Sequence, residues 1–247
     1  MKPGHSQCSN PDTICRARYE FLVRESRQCG LQTDQIERSA HELCFLRDKK
    51  YYLKGIAYKP TGVALGFPLP DSRMTARLWR IAKLVDQCIT TIHPESDKTF
   101  AFVPPDSYHI TLVNRSHFEV GEVITAMNVK EQEKARQAIA RAGGGPVTLH
   151  LNGLILTFRG RLFVPGFAVD DRLYQLRANL SALVPELRVN VPITAHIKLG
   201  HLLTPLNNRE SKVLQQRVRR YGKYINGSLS FDDVYTPVGR ILLSERL

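Results

Sequence analysis

The sequence predicts an α+β fold in which two similar lobes, each an antiparallel sheet with outer helices, flank a central cleft. Strand-like and helix-like segments alternate from about residue 51 onward. The order helix, histidine-bearing strand, helix and hairpin occurs twice, the first time after a strand, and no strong sequence repeat accompanies it. We therefore expect residues 51–247 to form one two-lobed domain, preceded by a leader and a helical extension over residues 1–50.

Two helices are predicted in the N-terminal extension. Residues 1–11 contain Pro, Gly, Ser and Asn without periodicity, which predicts an unstructured leader. A helix capped by Asp12 or Thr13 is expected to end at Gly30, because glycine commonly terminates helices. A second helix is expected from Thr33 to about Arg47.

The first lobe begins with two short strands within residues 51–68, which are rich in aromatic and β-branched side chains. Asp71 or Ser72 then caps an amphipathic helix that runs to about Ile89. The stretch "TFAFVPPDSYHITLVNR" supplies two strand-like segments, separated by consecutive prolines that cannot donate to a sheet.

After the first histidine-bearing strand, the series continues with a helix and a hairpin, and its second half then follows. A charged helix over residues 129–142 ends at three glycines, and a hairpin is predicted around Arg159-Gly160-Arg161. A helix ending near Leu183 precedes the strand "VPITAHIKLGHLL". A basic helix over residues 209–224 and a final hairpin over residues 228–247 complete the chain.

The charge balance favours anionic partners. The chain carries 35 Lys and Arg against 23 Asp and Glu, a formal charge of +12 with a pI near 9.7. Nucleic acid or a phosphorylated ligand fits this charge, although basic residues that only maintain solubility would also explain it. No apolar run is long enough to span a membrane, and the N-terminus lacks the apolar core of a signal peptide. Five cysteines, an odd number without a C-x2-C pair, predict free thiols in the cytoplasm and no zinc site.

Two strands carry the residues from which we infer chemistry. Side chains on a strand alternate between its two faces. His109 and Thr111 therefore share one face of the first strand, and His196 and Lys198 share one face of the second. Each strand thus offers an imidazole and a donor suited to phosphate. Two imidazoles on either side of a phosphodiester suit general acid–base catalysis, in which one takes a proton and the other delivers one. This chemistry requires no metal ion and no cofactor.

The pattern "PPDSYHITL", followed half a chain later by "AHIKLGHLL", resembles the 2H phosphoesterase superfamily, which is named for paired His-x-Thr/Ser motifs. The residues of the first motif are most similar to those of a poorly characterised microbial branch of this superfamily. The resemblance extends from about Tyr52 to Leu247 and implies metal-independent cleavage of 2′,3′-cyclic phosphates, 2′-5′ linkages or cyclic nucleotides. His109 and Thr111 match the first motif in full. His196 matches the second, but Lys198 stands where the family has Thr or Ser, and we expect its charge to lower the pKa of His196.

Two further residues are candidate substrate contacts. Arg115 would share the face of His109 if the strand continues, and Tyr235 on the final hairpin could stack on a base. Strand alternation assigns His201 to the opposite face unless a bulge occurs at Gly200. The basic residues between Arg209 and Lys223 suit either a track for a nucleic-acid tail or a solvated helix face.

The sequence therefore predicts a monomeric, metal-independent phosphodiesterase that acts on nucleotide or RNA phosphodiesters. His109 and His196 are the expected acid and base, in an order that the sequence does not assign, and Thr111 and Lys198 are expected to hold the phosphate. The alternative is a protein of the same fold that binds a nucleotide or RNA end without turnover. A third reading, docking through the N-terminal and basic helices, also stays open.

Overall fold

The computed structural model describes residues 11–28, 30–34, 36–37, 44–47, 50–53, 63–69, 72–94, 100–103, 105, 108–115, 129–143, 145–184, 187–188, 194–236 and 239–242. Its five longer helices are α1 (Pro11–Gln28), α2 (Ser72–Ile92), α3 (Val129–Arg141), α4 (Arg172–Leu183) and α5 (Asn208–Gly222). No helix in these ranges combines the length and apolar character that a membrane crossing requires.

Thirteen strands are assigned within the same ranges. They are β1 (Cys44–Arg47), β2 (Lys50–Leu53), β3 (Val63–Pro68), β4 (Phe100–Phe102), β5 (His109–Arg115), β6 (Val147–Asn152), β7 (Ile155–Leu156), β8 (Arg161–Ala168), β9 (Leu187–Arg188), β10 (Ala195–Leu202), β11 (Asn226–Phe231), β12 (Asp233–Thr236) and β13 (Gly239–Leu242).

Every strand pairing among the described residues is antiparallel, so the expected mixed fold of helices and antiparallel strands is confirmed. The main sheet has the order β11-β6-β8-β10-β5-β3-β12-β13, and β1 and β2 form a separate pair. Strands β10 and β5, which carry the two histidine motifs, lie next to each other in the middle of this order. A single residue pair, Ile110 with Ile197, joins them.

The two faces of the main sheet are covered differently. Helices α2 to α5 contribute to one continuous apolar core that also contains Leu149, Val164 and Ile197 from the sheet. A second, smaller cluster on the opposite face joins Cys15 and Tyr19 of α1 to the sheet. Because β8 is covered on both sides, its residues 162–166 are all buried, which explains its unbroken apolar sequence "LFVPG".

Two predictions about individual elements were wrong. The helix expected from Thr33 to Arg47 does not reach its predicted end, because Cys44–Arg47 pair with β2 as a strand. The final hairpin is shorter than expected, since Asn226–Phe231 pair with β6 and only β12 and β13 form the hairpin. In both places pairing with another strand outweighs local preference. The predicted leader lies mostly outside the described residues.

Candidate active site

The two histidine motifs lie on neighbouring strands and on the same face of the sheet. Ile110 and Ile197 pair across β5 and β10, and both side chains are fully buried in the main core. Residues on either side of this pair point to the opposite face, because side chains alternate along a strand. The four predicted residues His109, Thr111, His196 and Lys198 are therefore brought together on one face. The antiparallel register puts His196 beside Thr111 and Lys198 beside His109.

An aromatic ring supports the His196 imidazole from the next strand. Phe163 of β8 pairs with Lys198 in the sheet, and its ring centroid lies 4.8 Å from that of His196 at an interplanar angle of 45°. Phe163 in turn contacts Tyr19 of α1, with ring centroids 6.1 Å apart. The Tyr19 hydroxyl donates a hydrogen bond to the carbonyl oxygen of Ala195, the residue before His196. Helix α1 is thus connected to His196 through both a ring and the backbone.

The surroundings of His196 favour its neutral form. Burial of the imidazole lowers its pKa to about 4, and the charge of Arg177 and then that of His109 act in the same direction. Lys198 contributes as expected from the sequence, but it is the smallest of these influences. The imidazole is surrounded by protein atoms, but the residue keeps solvent-accessible surface, and water there screens part of the effect. The direction of the shift makes His196 a neutral imidazole at pH 7 in the ligand-free protein.

The Lys198 side chain is partly buried and lies close to another cation. Burial and, to a smaller extent, the charge of Arg161 together lower its pKa to about 8. Lys198 therefore keeps its positive charge at pH 7 and loses it as the pH rises through 8. This lysine can attract an anion at neutral pH, and its charge is sensitive to alkali.

Helix α1 and the hairpin between β7 and β8 form walls around these residues. They enclose a cleft of about 300 Å³. Its lining comprises Arg18, Tyr19, Leu22 and Glu25 of α1, Thr157, Phe158, Arg159, Arg161 and Phe163 of the hairpin, and Thr194, His196 and Lys198. His109 and Thr111 are not in this described lining, although they occupy the adjoining strand on the same face. The cleft is thus centred on the second motif.

Positive charge dominates the cleft. Arg18, Arg159, Arg161 and Lys198 line it, and Glu25 is the single acidic residue in the described lining. Within the described part of the chain, neither Arg159 nor Arg161 forms an ion pair. Unneutralised guanidinium groups in a concave site are suited to phosphate, which accepts paired hydrogen bonds from them.

The predicted turn at Arg159-Gly160-Arg161 is confirmed, and it places both arginines in the cleft. Thr157 accepts a hydrogen bond at its hydroxyl from the Arg161 backbone (3.1 Å), and the Thr157 N–H donates to the Arg161 carbonyl (2.9 Å). Gly160 has φ of +77°, a conformation that glycine adopts without strain. This tight closure fixes the directions of Arg159 and Arg161 on either side of the glycine.

A buried arginine supports β5 beneath the site. Arg177 of α4 is 4% exposed and donates to the carbonyl oxygens of Thr111 (2.7 Å) and Leu112 (3.2 Å). Burial lowers its pKa to about 10, so it stays charged at pH 7. Its fixed charge is also the main charge that acts on His196. Sequence reasoning did not identify Arg177, because nothing in the helical pattern distinguishes it from a solvated arginine.

His201 lies on the face that strand alternation had excluded. The register between β10 and β8 shifts between Lys198 and Gly200, so the bulge considered in the sequence occurs. His201 is 2% exposed, and neither ring nitrogen has a hydrogen-bond partner with good geometry. The nearby backbone of Arg159 favours the protonated imidazole and so raises its pKa slightly. Burial and the charges of Lys198 and Arg161 lower its pKa to about 3. His201 is therefore a neutral, buried neighbour of the cleft.

The two candidate substrate contacts are located by their backbones alone. Arg115 ends β5 and pairs with Leu187 of β9, and Tyr235 lies in β12, paired with Arg240 and Gly66. The structure describes only the backbones of Arg115 and Tyr235, so a contact between their side chains and a substrate stays a prediction. No group of three or more His, Cys, Asp or Glu side chains in the described ranges is arranged to hold a metal ion.

Comparisons with known proteins leave the family open. No family model and no curated protein matches the chain. Among solved structures, the chain is similar to Usb1 of Kluyveromyces marxianus with uridine monophosphate, at 13% identity and a TM-score of 0.35 over 74% of this chain and 99% of that one. A second structure of the same protein gives 12% identity and a TM-score of 0.36, over 74% of this chain and 98% of that one. At these scores the similarity carries no argument about fold or activity, so the function proposed below rests on the residues of this chain.

Proposed function

We propose that this protein is a metal-independent phosphodiesterase that acts on nucleotide or RNA phosphodiesters through His109 and His196. The observation that carries the proposal is the Ile110–Ile197 pair, which puts both histidine motifs on one face of neighbouring strands. The cationic cleft beside them supports a phosphate-containing substrate. Its volume of about 300 Å³ is at the lower end of the range for small-molecule sites.

The surroundings of His196 suggest a division of roles between the two histidines. His196 is neutral at pH 7, so it acts as the base and takes a proton from the attacking hydroxyl or water. His109 then acts as the acid and delivers a proton to the leaving oxygen. The Thr111 hydroxyl and the Lys198 ammonium hold the non-bridging oxygens as negative charge moves between them. The proton lost by the nucleophile and the proton gained by the leaving group balance over the step.

A nucleotide- or RNA-end-binding protein without turnover is the second candidate. It is supported by Lys198 in place of Thr or Ser, and by a cleft whose described lining includes His196 but not His109. Either function fits the two-lobed arrangement, the monomeric state and the cytoplasmic location expected from the sequence. These three features stay predictions.

Hydrolysis assays in EDTA test the first candidate. The substrates are a 2′,3′-cyclic mononucleotide, a 2′-5′ dinucleotide and a cyclic dinucleotide. We expect wild-type turnover of one of them, reduced about 10²- to 10⁴-fold by His109→Ala and by His196→Ala, since each removes one proton transfer. His150→Ala is the matched control, because this histidine lies on β6 with its Nδ1 bonded to Ser228 (3.3 Å), outside the cleft lining.

The same variants distinguish the two candidates. If no substrate turns over but calorimetry detects binding that Lys198→Ala abolishes, the protein is a binding module and the catalytic proposal is wrong. Equal activity of the wild type and both histidine variants would reject the two-histidine mechanism as well.

A further inference from the structure

A second basic groove lies on the other flank of α1 from the catalytic cleft. It has a volume of about 520 Å³ and is bounded by α1, α5 and the turn at Asn152–Gly153. Helical spacing separates most residues of α1. Arg16, Glu20 and Arg27 line this groove and Arg18, Leu22 and Glu25 line the cleft, while Tyr19 between them lines both. We call it the α1–α5 groove.

The α1–α5 groove concentrates positive charge from two helices. Its basic residues are Arg16, Arg24, Arg27, Arg219 and Lys223, and Glu20 is the only acid in its described lining. Apart from Arg16, these basic residues form no ion pair within the described ranges. Arg27 and Arg219 approach from opposite helices. Partial burial lowers the pKa of Arg219, and the positive charge of Arg27 acts in the same direction. Like charges that face one another across a groove are relieved when an anion binds between them.

The floor of the groove is apolar. Leu154, Ile155 and Phe167 line it, and the Arg16 guanidinium lies 4.6 Å from the centre of the Phe167 ring. A groove with an apolar floor and a guanidinium rim matches single-stranded nucleic acid, in which bases with exposed faces alternate with phosphates. A duplex offers no free base faces to such a floor, and a flat membrane surface would not reach it. From Arg16 to Arg27 the helix rises about 16 Å, enough to contact successive phosphates.

We propose that the α1–α5 groove binds the backbone of a single-stranded nucleic acid, at a site separate from the cleft. The basic residues of α5 divide accordingly. Arg219 and Lys223 face the groove, whereas the other basic residues are exposed outside its lining: Arg209, Lys212, Arg217 and Arg220. Thus the nucleic-acid track that the sequence left open involves the C-terminal end of α5 together with α1, and not the whole helix.

Binding of a labelled single-stranded RNA tests the proposal. The probe is about 12 nucleotides long, within the usual range of single-strand site sizes, and its fluorescence anisotropy is followed in a salt titration of the full chain. The double variant Arg27→Gln, Arg219→Gln should bind at least about tenfold more weakly and lower the slope of log affinity against log salt by about 1 to 2. The control Arg136→Gln, Arg141→Gln makes the same change in net charge on α3 and should bind as the wild type does.

The outcomes separate this proposal from the proposed function. Binding is read without turnover, so the groove can be confirmed even if no substrate is hydrolysed. Conversely, hydrolysis of a cyclic mononucleotide should be equal in both double variants. Equal RNA affinity in the groove and control variants would overturn the proposal. Unchanged RNA binding with a selective loss of binding to vesicles of anionic lipid would overturn it too, by assigning the groove to a membrane surface.

Discussion

At the scale of single residues, the site depends on cations that alter one another. Arg161 lowers the pKa of Lys198, and both lower those of His196 and His201. These residues come from β8 and β10, which pair side by side, so their charges are held together by the sheet. An anion that enters the cleft relieves this mutual repulsion, and the electrostatic strain of the empty site thus favours binding.

Lys198 gives the site a testable pH dependence. Its pKa is lowered to about 8, so its positive charge is present below pH 8 and disappears above it. If Lys198 holds the phosphate, kcat/KM should fall as the pH rises through 8, because this quantity reports the ionisation of the free enzyme. Lys198→Arg keeps its charge at higher pH and should shift that fall upward by at least about one pH unit, since arginine stays protonated up to about pH 12. Rate profiles from pH 6 to 10, with circular dichroism at each pH to monitor folding, provide the measurement.

Lys198→Gln is the control for charge. This variant should have a lower kcat/KM than the wild type below pH 8, and its kcat/KM should no longer fall as the pH rises through 8. An identical alkaline limb in wild type and Lys198→Arg would mean that another group titrates, and Lys198 would no longer be a phosphate contact.

At the scale of elements, alternation along strands predicted which residues share a face, and the structure agrees for His109, Thr111, His196 and Lys198. Helices α2 to α5 were predicted within a few residues, because their caps and apolar periodicity are local signals. The bulge in β10 was foreseen only as a possibility, since it depends on the neighbouring strands. The sequence did not predict that Arg161 lies beside Lys198 or that the Phe163 ring contacts His196. Both contacts depend on the register between β8 and β10, which neither segment specifies by itself.

The bulge in β10 depends on Gly200 because β4 approaches too closely for any side chain. A Cβ atom at this position would lie 2.1 Å from Cε1 of Phe100 and 2.6 Å from the carbonyl oxygen of Ala101. We expect Gly200→Ala to lower the free energy of unfolding by about 1–3 kcal/mol, as overpacking commonly does. Urea unfolding of the purified variant measures this change.

Gly227→Ala is the matched control in β11, where the nearest atom to a new Cβ is Cε of Met74 at 3.7 Å, an ordinary contact. It should be neutral or stabilising by up to about 1 kcal/mol. Equal stability of the two variants would show that β4 can move away from Gly200, and that the bulge is not fixed by this contact.

At the scale of the whole molecule, α1 is part of the folded body and not a separate appendage. Cys15 is fully buried, Tyr19 is 4% exposed, and the Gln215 side chain of α5 donates to the Ser26 carbonyl of α1. The sequence left open whether this helix serves in docking. Its position beside the cleft depends on contacts with strands far along the chain, which no local pattern reports.

Tyr19→Phe tests how firmly α1 is held. The variant keeps the ring contacts with Phe163 and Phe167 but removes the donor to Ala195. An unpaired buried carbonyl costs about 1–3 kcal/mol, so the free energy of unfolding should fall by that amount. Tyr224→Phe, at a residue that is 64% exposed, should change it by less than about 0.5 kcal/mol. No difference between the two variants in urea unfolding would mean that this hydrogen bond does not hold the helix.

The bond between Tyr19 and Ala195 also sets an order of events during synthesis. The two residues are 176 positions apart, and α1 leaves the ribosome long before β10 exists. At about 5–20 residues per second, the apolar side of α1 waits roughly 10 to 35 seconds for the strand on which it docks. No cleft can form on the growing chain during that interval. The apolar side of α1, which includes Cys15 and Tyr19, therefore stays uncovered until β10 has been made.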